Sequence, residues 1–133
     1  MNVKKFLVST LAVGVVGNIM DFIVQGNILQ GMYLSKMAIV RQDTWLGWFV
    51  LADFVTAFVL VWVYDRVYNS FAPGPAGGAS FGFYAGVLFA FPTFIVMHLM
   101  LVGFPYSLSW IYTVYGVVFY VISGAVAGAT YKK

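Results

Sequence analysis

Leu46-Gly-Trp-Phe-Val-Leu-Ala-Asp-Phe-Val-Thr-Ala-Phe-Val-Leu-Val-Trp-Val-Tyr64 holds a single residue charged at neutral pH, Asp53, in nineteen. A run of about 20 apolar residues is what a helix needs to cross roughly 30 Å of hydrocarbon. In such a medium every backbone polar group must be satisfied inside the segment, so an isolated run of this kind reads as an α-helix. Strict alternation of apolar and polar residues, the mark of a membrane barrel strand, is missing from it.

Three more runs of the same kind flank this one. The reading is an all-α membrane protein with four transmembrane helices over about 6–32, 45–64, 81–102 and 108–130, forming one domain from 1 to 133. Asp43 or Thr44, Ser80, and Ser107 or Ser109 offer N-caps for the last three. Lys4-Lys5 ahead of an apolar run imitates a signal peptide, but no small-x-small cleavage site follows, so the first run reads as an uncleaved helix.

Composition agrees. Of 133 residues 62% are hydrophobic and 8% charged, against the quarter or so of charged residues that covers a soluble domain. Soluble monomers, disordered chains and nucleic-acid binders are excluded on that ground. Cysteine is absent, which removes disulfides, thiolate zinc, iron–sulfur clusters and covalent haem. The lone histidine, His98, removes bis-histidine haem.

Four spans leave both termini on one side. That side collects Lys4, Lys5, Arg66, Lys132 and Lys133, and the other only Lys36 and Arg41, so the termini are expected in the cytoplasm of a bacterial inner membrane. Tyr33, Trp45 and Trp48 at one face, and Tyr64, Tyr68 and Tyr131 at the other, read as interfacial aromatic belts. Asp65-Arg66 reads as an exposed pair at a helix end.

The connections differ. Ser35 to Thr44 is a polar outer loop. The stretch 69–80, with Ala72-Pro-Gly-Pro-Ala-Gly-Gly78, reads as a cytoplasmic linker that cannot be helical through its middle. Gly103-Phe-Pro-Tyr-Ser107 is a tight outer turn. The expected arrangement is therefore two antiparallel hairpins in one bundle. At an offset of 72 residues Phe22-Ile23-Val24 matches Phe94-Ile95-Val96, Leu29 matches Leu101, Gly31 matches Gly103 and Ser35 matches Ser107. A duplication would relate the hairpins about the membrane normal.

Gly78, Gly82, Gly86 and Ala90, then Gly124 and Gly128, recur at four-residue spacing. Between membrane helices such small residues supply close backbone approach. Gly82, Gly86, Gly124 and Gly128 are the expected helix-packing positions, either within the chain or, on the Gly124–Gly128 face, against a second copy or another membrane subunit. Pro92 is expected to kink the third helix.

Ionisable groups inside hydrocarbon need a reason. Asn18, Asp21 and Gln25 share one face of the first helix, Asp53 and Thr56 one face of the second, and His98 follows Pro92 in the third. At about 1.5 Å of rise per residue, Asp21, Asp53 and His98 all lie on the outer side of mid-membrane, level with Tyr112 and Tyr115. Three readings follow: a polar cluster that keeps the helices in register, with Asp paired to His98; an outward-opening site for a small polar ligand, cation or proton; and ligation of a pigment or metal by His98, with Met97 or Met100 as a second haem ligand or the two carboxylates as metal partners.

Catalytic templates are missing: no Gly-x-Ser-x-Gly, no phosphate-binding glycine loop, no His-Glu-x-x-His. Two functional expectations stand. The first is a non-enzymatic accessory or structural subunit of a larger membrane complex. The second is a small oligomeric carrier of a solute, cation or proton. Lys4-Lys-Phe-Leu7, Asp21-Phe-Ile23 followed by Gly26 and Tyr33, the aromatic second helix and the proline-bearing third resemble small uncharacterised bacterial four-helix inner-membrane proteins. The resemblance implies a stand-alone membrane fold and carries no activity.

Overall fold

The computed structural model describes residues 1–133 throughout. The chain is all-helical, without a strand. Four helices are long and apolar enough to cross a membrane. Helix α1 covers Val3–Ile23 and continues through a π-helical segment, Val24–Leu29, into a last turn, Gln30–Met32. Helix α2 is Leu46–Val67, α3 is Pro75–Phe94 and α4 is Tyr106–Thr130. A separate turn of helix, Met97–Met100, follows α3.

The starts differ from those expected. Helix α3 begins at Pro75, inside the stretch read as linker. Pro75 occupies the first turn, where a missing N–H costs nothing, and Gly74 turns the chain into it with φ of 89°. Ser80 is therefore not a cap: inside the helix, it donates to the Ala76 carbonyl at 3.1 Å. Trp45 and Pro105 precede α2 and α4 without a side-chain cap, so Asp43, Thr44, Ser107 and Ser109 do not cap either. The one side-chain cap is Asn2, which accepts from the Lys5 N–H at 3.2 Å.

The closest association is between α3 and α4. A Cβ on Gly78 would come within 2.1 Å of the Gly124 carbonyl oxygen, and one on Gly82 within 2.0 Å of that of Tyr120. Gly128 meets Gly74 and Gly78, and Gly116 meets Ala90, so numbering rises along one helix as it falls along the other. Backbone lies on backbone. The Gly124–Gly128 face is thus covered by α3 and offers nothing to a second copy. Helix α1 packs on α2 and α4, with Gly14 against the Phe54 ring and Gly17 against Phe119.

The lower end closes around aromatics. Tyr64 and Tyr131 are completely buried, 6.3 Å apart by ring centre, with Tyr68 and Phe81 against them. They are core residues, not an exposed belt, because the chain end folds back over α2. Asp65 likewise turns inward and accepts from the Tyr131 hydroxyl, while its carbonyl accepts from Lys133 Nζ at 3.2 Å. Arg66 lies over the Trp62 ring at 5.2 Å instead of pairing with Asp65.

Candidate functional site

Two helices depart from α geometry at the same end of the molecule. In α1 the wider π turn begins at Val24, three residues past Asp21, and Asn27 Nδ2 donates to the Phe22 carbonyl across it at 2.7 Å. The third helix runs through Pro92, stops after Phe94 and resumes at Met97. The His98 N–H, displaced from the regular ladder, donates to Ser109 Oγ on α4 at 3.1 Å. Val24 and Val96, matched at the 72-residue offset, both fall at these interruptions. Broken helices at membrane depth are tolerated where they line a cavity or are buried in protein.

A cavity of about 460 Å³ lies between the two interruptions and opens to the surface. Asp21 and Gln25 enter it from α1, Asp53 and Thr56 from α2, and Tyr112 and Tyr115 from α4. The Tyr115 hydroxyl donates to Asp21 Oδ1, and Asp53 faces the same space from α2. Tyr112 is stacked between Phe94 at 5.4 Å and Phe104 at 6.4 Å. Leu34, Ile39 and Val40 of the loop after α1 add to the wall. Gln42 fastens that loop through the Leu34 carbonyl at 2.9 Å and through Gln30 at 3.1 Å, and Tyr33 ties it to Ser107 at 3.1 Å.

Two of the expected members stand apart. Asn18 donates to the Gly14 carbonyl at 2.8 Å, within its own helix. His98 faces Ser109, with Nδ1 at 3.2 Å from Oγ, and its ring meets Tyr106 edge-on at 4.8 Å. It pairs with neither aspartate, because the break before Met97 turns it toward α4. Asp21, Asp53 and His98 therefore do not form a metal-binding group. Met97 lines the cavity, and Met100 is three-quarters exposed. Ser109, fully buried, was legible only as a polar residue in an apolar helix, a signal that points equally to a cap.

What this arrangement can do follows from its groups. Two carboxyls facing one space concentrate negative potential there. Tyr115 supplies one donor. The remaining carboxyl oxygens can accept from a ligand, in a pocket of the size and mixed apolar–polar lining usual for small molecules. No family model, curated protein or solved structure matches the chain.

Proposed function

We propose that this chain is an integral protein of a bacterial inner membrane, crossing it four times as two antiparallel hairpins with both termini in the cytoplasm, and that it binds a small cation or proton-donating solute between Asp21 and Asp53. The observation that carries the reading is that Asp21 and Asp53 enter one cavity from two helices, with the Tyr115 hydroxyl donating to Asp21. Two carboxyls facing one cavity, with no basic side chain in its lining, favour a cation there. The charge bias of the loops puts this end of the bundle, with Leu34 and Phe104 in the cavity wall, on the outer side. A carrier or binding role accounts for ionisable groups kept in hydrocarbon better than helix registration does, because Gln25, Thr56 and Tyr112 line the same space without being consumed by one another.

For the accessory-subunit reading, the Gly124–Gly128 face is not a free docking surface, since it packs against α3. Calorimetric titration of the detergent-purified protein with ethylammonium tests the choice. Binding in the wild type that is lost in Asp53→Asn, with an unchanged melting midpoint, supports the site. Equal binding in both proteins would sink it, and stoichiometric co-purifying subunits would restore the accessory role.

A further inference from the structure

A second cavity, of about 520 Å³, lies between α2 and α3. Val55, Val59 and Val63 form one wall, and Ala85 and Leu88 the other. Thr56, Phe89 and Tyr120 line both this space and the carboxylate cavity, so the two adjoin along one groove. The groove exists because α2 and α3 touch little: α1 packs on α2 and α4, and α3 packs on α4, leaving this seam unfilled. Its outer edge is open, with Val55, Val59 and Leu88 each about half exposed or more.

We propose that the groove takes a single-chain amine amphiphile from the bilayer, with its ammonium at Asp21 and Asp53 and its alkyl chain along the seam between α2 and α3. The proposal rests on the cation-binding reading above and names the ligand class of that site. Charge selects the head, since the polar compartment holds two carboxyls and no basic side chain. Polarity selects the tail. Beyond Thr56 and Tyr120 the seam has no hydrogen-bonding side chain, so a polar occupant there would leave its groups unpaired. Length agrees as well: Asp53 to Val63 is ten residues, about 15 Å of helix. The sideways opening between α2 and α3 admits a molecule already dissolved in lipid.

Dodecylammonium and ethylammonium, titrated into the purified protein, separate head from tail. Detergent enriches the longer amine around every variant alike, so the readout is the change on substitution. Val59→Trp and Ala85→Phe fill the seam outside the carboxylate compartment. Each should weaken dodecylammonium by about tenfold or more while ethylammonium stays within about twofold, the short amine serving as the check that the fold persists. Dodecanoate should not compete. Unchanged dodecylammonium binding in both variants would overturn the proposal and leave the cation site standing, as would parallel weakening of both amines in variants whose melting midpoints match the wild type. Competition by dodecanoate as strong as by dodecylammonium would overturn the charge match. Failure of the wild type to bind ethylammonium would remove the cation site and this proposal together.

Discussion

Asp21 is the residue on which the site turns, and its partner Tyr115 lies 94 positions away in the chain. Removing that donor with Tyr115→Phe leaves a carboxyl short of a hydrogen bond in a half-buried setting. The expected cost is about 1–3 kcal/mol, read as a lower unfolding midpoint in mixed detergent. His98→Phe, by contrast, should leave ethylammonium binding at Asp21 and Asp53 intact, since the imidazole bonds Ser109 instead. Tyr131 gives a prediction about pH. Burial and the hydrogen bond to Asp65 push its phenol up to about 12 from the ordinary 10. The ring is fully covered, though thinly, at the very end of the bundle. A raised value means the folded state holds the proton more tightly. The stabilisation is therefore complete below pH 10 and is lost as pH climbs through 12. Thermal melts from pH 9 to 12 should converge for the wild type and Tyr131→Phe, with the gap largest at the low end.

Among the elements, α3 and α4 are joined by absence of side chains, and this makes their contact sensitive to a single carbon. Gly82→Ala places a methyl against the Tyr120 carbonyl, which belongs to backbone and cannot swing away. Forcing the helices apart should cost about 1–3 kcal/mol. Gly31→Ala, in the last turn of α1 with nothing within 4 Å of the added carbon, should be neutral or stabilising by less than about 1 kcal/mol. Unfolding in sodium dodecyl sulfate mixed micelles measures both, and equal losses would show that the glycine stripe is not what holds the pair. Much of the element level was legible in the chain. Four apolar runs announced four long helices. Their ends were not legible where glycine and proline stood, because Pro75 and Gly74 serve equally as breakers of one helix and as the start of another. The interruption after Phe94 had Pro92 as its signal, while the π turn at Val24 had none.

At the scale of the whole molecule, the orientation reading makes a direct prediction in a chain that has no cysteine of its own. Ala38→Cys falls in the outer loop and Ser70→Cys at the end of the helical turn after α2, both at exposed positions. In intact cells an impermeant maleimide should label Cys at 38 and miss Cys at 70, and the reverse pattern would invert the topology. What the sequence by itself determined is what hydrocarbon demands of any chain: helices, their number, their length, and the rarity of the polar residues Asp21, Asp53 and His98 within them. Those are properties of each segment against its solvent. Which polar residues meet is a property of how the segments rotate against each other, and hydropathy is nearly blind to it, since every face of these helices is apolar. Backbone contact between Gly82 and Tyr120, and between Gly78 and Gly124, sets the rotation of α3 on α4; Gly14 and Gly17 set α1. Only those contacts decided that Asp21 would find Asp53 and Tyr115, that His98 would turn away to Ser109, and that a seam would be left open between α2 and α3.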